Sequence, residues 1–217
     1  MNLVDYGRIL IRRGWIMLLL AVIAGGAAYV FSRQLEPIYR ATQKVLIVPS
    51  RSDFGLTEAA KQILNSNVAY LDSSLRAAQV IDRLQLDMTP GELRSDVTIV
   101  ADQLSLLIQI DADNKDPNVA AQIASTWGDL LLEYRNSLNQ QARQEDRIEA
   151  LKQDNPVPYQ SSPNIPINTL VGAIAGFFLG AIIVFVLEYL ESSIIRRRED
   201  VEHAAGLPVL AAVPNID

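Results

Sequence analysis

Three aspartates, Asp111, Asp113 and Asp116, lie close together between a predicted strand and a predicted helix, and they offer the most reactive chemistry in this sequence. A pair of carboxylates is what the hydrolysis of a glycosidic bond requires. An aspartate-rich loop before a helix is also ordinary turn and cap chemistry, because these side chains accept hydrogen bonds from nearby backbone amides. We favour the structural interpretation and expect that the chain is not an enzyme.

Other groups that could support catalysis or bind a metal are scarce. The 217 residues include no cysteine, which excludes disulfides, thiolate metal sites and a cysteine nucleophile. The single histidine, His203, lies in a polar segment, where a solvated side chain is the usual outcome. We expect no metal and no cofactor. The net charge of −6 supplies no basic field for phosphates, so nucleic acid is not an expected partner.

Two long uncharged runs predict membrane-spanning helices. Residues 15–32 and 167–187 contain no charged side chain, and each is long enough to cross a hydrocarbon core about 30 Å thick. The first run could instead be a signal peptide, although the apolar core of a signal is usually shorter. Two buried soluble helices would need a larger core than the remaining residues could surround. We therefore expect a multi-pass protein of the lipid bilayer.

Positive residues near the two runs predict the orientation. Positive side chains favour the cytoplasmic side of a membrane, so we expect both termini in the cytoplasm and the central segment outside. For the run 196–198, plain anchoring of this kind is favoured over specific recognition by a partner. The terminal side carries Arg8, Arg12, Arg13, Arg196, Arg197 and Arg198, against Arg33, Arg40, Lys44 and Lys152 on the loop side.

Small residues recur every four positions in both runs. Such a stripe lets two helix backbones approach closely, which predicts packing and self-association in the membrane. Glycine and alanine are also simply common in membrane helices, which is the alternative. The residues are Gly172, Gly176 and Gly180 in the second run, and Ala21 with Gly25 and Ala24 with Ala28 in the first.

The sequence predicts a small extracytoplasmic α+β domain between the spans. Around it we place a cytoplasmic lead (1–14), the spans (15–32 and 167–187), the domain itself (33–154), a connector (155–166) and a cytoplasmic tail (188–217). Proline prevents regular helix and stiffens an extended chain. The connector is therefore expected to be extended, and its prolines are Pro156, Pro158, Pro163 and Pro166.

Residue patterns predict the elements of the domain. A β-favouring stretch predicts a strand over Tyr39–Val48. An apolar stripe predicts a helix over Thr57–Leu86, which Asn65–Asn67 could divide. After a turn at residues 89–91, a hairpin is predicted from Val97–Ala101 and the alternating residues 104–111.

Asp116 and Pro117 predict the start of a helix, as a side-chain cap and a first-turn proline. An apolar stripe that runs through Leu138 then predicts packing on the sheet. Residues 139–155 keep helical propensity but lose the apolar face, so a solvated extension is favoured over a partner-facing helix.

Taken in order, these pieces resemble the Wzz-type chain-length determinants, the polysaccharide co-polymerases of bacterial envelopes. The resemblance covers nearly the whole chain, through residues 6–20, 39–48 and 104–125 and the glycine-striped second span. The stretch 187–214 after that span is the most specific part. Its characteristic residues are Glu199, Asp200 and Val201, followed by Gly206, Leu207, Pro208 and Val209.

The resemblance implies a protein of the bacterial cytoplasmic membrane that forms homo-oligomers. It would regulate the length or export of a capsular, exo- or O-antigen polysaccharide beside the polymerase or export machinery. In the family, a similar tail leads toward a tyrosine autokinase. No G-x-x-x-x-G-K string, which would hold nucleotide phosphates, occurs in this sequence. The chain therefore resembles a separate membrane adaptor whose tail docks on another polypeptide, the kinase.

Two departures and two alternatives accompany this resemblance. Residues 138–155 are short where many relatives carry a long projecting helix, so a tall external bell is not expected, and the tail has no terminal aromatic ring for docking. Residues 206–209 could form a simple turn. A structural scaffold that organises envelope proteins without affecting glycan length needs the same spans and contact faces, so it stays open.

Overall fold

The computed structural model describes residues 3–51 and 54–192. Helices α1 and α6 belong to one compact unit, and Leu35–Pro163 form a second. In chain order the elements are α1 (Leu3–Gln34), β1 (Ile38–Pro49), α2 (Phe54–Leu71), α3 (Ser74–Leu84), α4 (Pro90–Ser95), β2 (Val97–Asp102), β3 (Leu107–Asn114), α5 (Pro117–Gln141), a 3-10 turn (Gln144–Asp146), β4 (Ile148–Lys152), β5 (Tyr159–Ser162) and α6 (Ile165–Ser192).

The first unit contains the two predicted membrane helices. Arg12–Gln34 of α1 and Ile165–Glu191 of α6 are long and apolar enough to cross a bilayer. Their large apolar side chains mostly point away from the protein, as Val22 (74% exposed) and Phe178 (63% exposed) illustrate. The prediction of two membrane helices on either side of an α+β region is confirmed.

The second unit is built on an antiparallel five-stranded sheet. Its strand order is β2-β3-β1-β4, and β5 pairs with the first residues of β1. Strand β1 alternates as a half-buried strand should. Ala41, Gln43, Val45 and Ile47 are buried on one face, while Lys44 lies on the other.

Helix α5 packs on the buried face of the sheet, as its apolar stripe predicts. The Asp116 side chain accepts a hydrogen bond from the Asn118 backbone N–H at 2.8 Å, and Pro117 occupies the first turn. Trp127 is the largest fully buried side chain and donates from Nε1 to the Leu71 carbonyl oxygen at 3.3 Å. This core also receives apolar residues of α2 and α3.

Three local predictions need correction. The helix predicted over Thr57–Leu86 is divided at residues 72–73 rather than at Asn65–Asn67, because Ser73 caps α3 by accepting from the Arg76 N–H. The turn at 89–91 is the start of α4, where Thr89 and Glu92 form a reciprocal capping box. The second hairpin strand begins at Leu107, since Leu104 is 96% exposed in the turn before it.

The solvated helical extension predicted over 139–155 is wrong. Helix α5 ends at Gln141, and Ile148–Lys152 form β4 beside β1. Arg135 and Asn139 hold this strand to α5, because both donate side-chain hydrogen bonds to the Ile148 carbonyl oxygen. The alternating burial of Ile148 and Ala150 is too short a pattern to stand out among charged neighbours.

Regular structure occupies part of the proline-rich connector predicted over 155–166. Residues 159–162 form β5 directly before Pro163. Helix α6 begins at Ile165, so Pro166 lies in its first turn instead of the extended connector. Proline is acceptable there because the first N–H groups of a helix have no partner within the helix. Pro156 and Pro158 lie outside the helices and strands.

Candidate functional site

Glycines of α6 lie against α1 within the same chain. A Cβ atom at Gly176 would lie 2.5 Å from the Leu20 carbonyl oxygen and 2.6 Å from the Ala24 Cβ. A Cβ atom at Gly172 would lie 2.5 Å from the Ala28 Cβ. These distances leave no room for a side chain, so only glycine permits the two backbones to approach this closely.

The same contact continues along both helices. A Cβ atom at Gly180 would lie 2.7 Å from the Met17 Cα, and one at Gly25 would lie 3.2 Å from the Ala173 Cβ. Ala21 is half-buried. The small-residue faces of α1 and α6 are thus brought together in one chain. Self-association of copies stays a prediction, and in this arrangement it requires contacts beyond these two faces.

Polar contacts mark both ends of the helix pair. Near the start of the first apolar run, the Arg13 guanidinium lies 3.8 Å from the Glu188 carboxylate and forms a second ion pair with Glu191. At the opposite end, the Asn168 amide donates to the Ser32 hydroxyl at 2.9 Å. Ser32 is 1% exposed. These contacts fix the register of the two helices at both ends.

The residues predicted to dock a partner lie outside the described part of the chain. These are Glu199, Asp200, Val201, Gly206, Leu207, Pro208 and Val209. The same holds for His203 and for the arginines at 196–198. Docking through this tail therefore stays a prediction.

Each of the three closely spaced aspartates has a partner that explains its position. Asp113 accepts two hydrogen bonds of 2.7 Å from Arg40 across the β1–β3 pair. Asp111 accepts from the Thr42 hydroxyl at 2.6 Å and from the Gln109 amide at 2.9 Å. Asp116 is the α5 cap. These interactions agree with the structural interpretation of the three carboxylates.

The electrostatics of this face follow from the same pairing. The hydrogen bonds from Arg40 to Asp113 raise the pKa of the guanidinium above its ordinary value.

Within residues 3–51 and 54–192, no group of three or more His, Cys, Asp or Glu side chains could hold a metal ion.

A cleft of about 400 Å³ opens where the β2–β3 hairpin meets α4. Asp96 ends α4, and Asp113 lies next to it across the hairpin, where its backbone N–H donates to the Asp96 carbonyl oxygen at 2.8 Å. Burial raises the pKa of the Asp96 carboxyl, against a smaller opposing effect of the Ser95 hydroxyl. The cleft is lined by Ile38, Met88, Ser95, Asp96, Asp113, Asn114 and Lys115.

Capsular polysaccharide biosynthesis proteins of several bacteria are similar to this chain over most of its length. The chain is 25% identical to the capsular polysaccharide biosynthesis protein CpsC of Streptococcus pneumoniae, over 97% of this chain and 92% of that protein. The chain is a homologue of capsule biosynthesis proteins. It is 26% identical to the probable capsular polysaccharide biosynthesis protein YwqC of Bacillus subtilis, over 90% of this chain and 79% of the relative.

A third relative comes from another genus. The capsular polysaccharide type 5 biosynthesis protein cap5A of Staphylococcus aureus is 22% identical over 82% of this chain and 81% of its own length. No family model matches the chain. The homology to capsule proteins confirms the resemblance to envelope polysaccharide proteins that the sequence indicates.

Two features escaped prediction from the sequence. The Asp96 cleft depends on α4, where the sequence predicts only a turn at residues 89–91, so this wall of the cleft was absent from the predicted fold. The Arg13 ion pairs had a visible signal, because Arg13 flanks the first run while Glu188 and Glu191 flank the second on the same predicted side. Charges that flank two antiparallel spans on one side are natural partners.

Proposed function

We propose that the chain is a non-catalytic polysaccharide co-polymerase of the bacterial cytoplasmic membrane that acts in capsule synthesis. The observation that carries this proposal is the similarity to CpsC, which extends over 97% of this chain and 92% of the relative. The order of the parts supports it, since two candidate membrane helices enclose one α+β domain. Both termini would lie in the cytoplasm and the domain outside.

The engaged aspartates support a role without catalysis. A glycosidase needs two carboxyl groups that are free to reach the scissile bond, whereas Asp111 and Asp113 are held by Thr42 and Arg40. The domain would therefore organise the growing polymer and not cleave it. Copies would associate in the membrane, place their domains beside the polymerase or export machinery, and so regulate chain length.

The cytoplasmic end would recruit a separate tyrosine kinase through residues 199–209. The ion pairs of Arg13 support this part of the proposal, because Glu188 and Glu191 lie in the last turn and a half of α6 directly before the tail. A fixed helix end gives the following segment a defined starting point.

A deletion strain tests chain-length control. We expect the size distribution of the capsular polymer, measured on a gel, to change in the deletion strain and to return when the wild-type gene is supplied. An unchanged distribution would contradict the proposal and leave the scaffold alternative.

Tail variants test kinase docking in the same cells. Leu207→Asp combined with Val209→Asp should reduce the amount of kinase that copurifies with the full-length protein. It should also lower the tyrosine phosphorylation of the kinase. Asn215→Asp, outside residues 199–209, is the control for an added negative charge in the tail. Equal recovery of the kinase with both variants would refute docking through this segment.

A further inference from the structure

The Asp96 cleft has a balance of charge that selects among ligands. Two of its charged groups are already neutralised, because Arg40 binds Asp113 with two hydrogen bonds and Glu36 forms an ion pair with Lys115. Among the described residues, the only hydrogen bond to the Asp96 carboxylate comes from the Ser95 hydroxyl at 3.5 Å. The cleft therefore holds one uncompensated, partly buried carboxylate.

Such a carboxylate favours hydroxyl donors and disfavours anions. Hydrogen bonds from hydroxyl groups to an ionised carboxylate are among the stronger ones in proteins. A phosphate or a carboxylated ligand would meet repulsion from Asp96 at close range.

The remaining lining fits a ligand that is polar at its edges and apolar on one face. Ile38 and Met88 supply apolar surface beside the carboxylate, and the volume of about 400 Å³ lies within the range of small-ligand pockets. The Asn114 Oδ1 accepts from the Asp116 N–H, which fixes the side chain in place. A sugar ring has this combination of hydroxyl edges and C–H faces.

We propose that the cleft beside Asp96 binds an uncharged sugar unit of the polysaccharide, an assignment that rests on the proposed function and deepens it. Asp96 accepts hydrogen bonds from the sugar hydroxyls, and Met88 and Ile38 contact the C–H face of the ring.

The test uses the full-length protein in nanodiscs and short oligosaccharides released from the polysaccharide of the strain that carries the gene. Saturation-transfer NMR measures which sugar protons contact the protein, and a titration gives the affinity. Asp96→Asn should weaken binding about ten-fold, because it removes the charged acceptor. Ser95→Trp should abolish binding, because Ser95 is an exposed residue of the cleft lining and an indole there fills the cleft. Asp82→Asn, an exposed aspartate on α3, is the matched control and should bind like the wild type.

Each outcome decides the proposal. Weaker binding in both cleft variants with unchanged binding in Asp82→Asn supports it, provided that circular dichroism shows all three folded. No saturation transfer, transfer confined to charged sugar units, or equal affinity in all variants overturns it. The deletion strain distinguishes a failure of the cleft assignment from a failure of the proposed function. If deletion alters the polymer length and the cleft variants bind normally, the cleft assignment fails while the proposed function holds.

Discussion

Each of the two units of this chain is stabilised internally by a different force. The α+β domain buries a continuous apolar core in which Trp127, Leu131 and Ile110 are all at most 1% exposed. In the helix pair, Met17 and Val184 are the buried apolar residues among those described, and most large apolar side chains point outward. The domain therefore buries its large apolar side chains, whereas the helices expose most of theirs.

This difference shows what the sequence of each unit has to provide for that unit to be stable. Removing apolar surface from water drives the domain to fold, whereas lipid is as apolar as leucine and gives helices no such reason to pair. Pairing of α1 with α6 therefore depends on close contact at Gly172 and Gly176 and on polar contacts at the ends. Large apolar side chains stabilise the domain, and the absence of a side chain at the contact glycines stabilises the helix pair.

The largest effect is expected from a tryptophan in the domain. Trp127→Ala should destabilise the domain by about 3–5 kcal/mol, because it leaves a large cavity in the core. Thermal unfolding of the full chain in detergent, followed by limited proteolysis, measures this. Trp15→Ala is the matched control, since Trp15 is 61% exposed on α1. Equal unfolding midpoints for the two variants would contradict the contrast between the units.

The second effect concerns a glycine in the helix pair. Gly176→Leu should separate α6 from α1, because even its Cβ would lie 2.5 Å from the Leu20 carbonyl oxygen. Overpacking of this kind typically costs about 1–3 kcal/mol. Gly26→Leu is the control, because a Cβ there meets nothing within 4 Å.

Disulfide crosslinking measures the separation, and the chain has no cysteine of its own to interfere. Gly25→Cys and Ala173→Cys place two thiols on facing helices, where the Cβ atoms lie 3.2 Å apart. Gly176→Leu should reduce the crosslink within a chain several-fold, while Gly26→Leu leaves it unchanged. A crosslink that runs only between two copies would overturn the intrachain pairing.

The sequence predicted the parts of the fold that have long, regular patterns. The charge-free runs, the β-favouring stretch of β1 and the Asp116-Pro117 cap each extend over enough residues, or are local enough, to be unambiguous. Strand β4 was missed because its five residues bury only Ile148 and Ala150 among charged side chains. Its position depends on pairing with β1, a contact distant in sequence that no local pattern contains.

The candidate site could be predicted only in part, for a related reason. The glycine spacing predicts close-packing faces, but spacing does not say whether the partner helix belongs to the same chain or to another copy. Asp111 and Asp113 stood out by their proximity in sequence. Asp96 did not stand out, because its place beside Asp113 follows from the hairpin register and from α4.

A smaller effect is expected at the polar end of the helix pair. Asn168→Ala removes the hydrogen bond to the Ser32 hydroxyl and should weaken the pairing by about 0.6 kcal/mol, the average for such bonds between membrane helices. The same disulfide assay should show a modest decrease, well below that of Gly176→Leu. A loss as large as that of Gly176→Leu would mean that polar contacts, rather than close packing, dominate the helix pair.

The smallest effect tests the domain through pH. Burial raises the pKa of Asp96 above its ordinary value of 3.8, so the ionised carboxylate destabilises the folded domain at neutral pH, and this penalty disappears as the pH falls below 3.8. Asp96→Asn should therefore stabilise the domain at pH 7 by on the order of a few tenths of a kcal/mol, because the group is largely solvated. Trp127 fluorescence in a Trp15→Ala background reports the unfolding midpoint of this unit alone.

The comparison of the two proteins across pH isolates Asp96 from opposing groups. Glu133, whose pKa is lowered by its hydrogen bonds from Arg83, loses its stabilising contribution as the pH falls. This loss is common to the wild type and to Asp96→Asn, so it cancels in the difference of their midpoints. A difference near 1 °C at pH 7 that vanishes in acid is the expected result. An unfolding midpoint of Asp96→Asn below that of the wild type at pH 7, with the difference vanishing in acid, would mean that the Asp96 carboxylate stabilises the domain and that a group inside the cleft already compensates its charge.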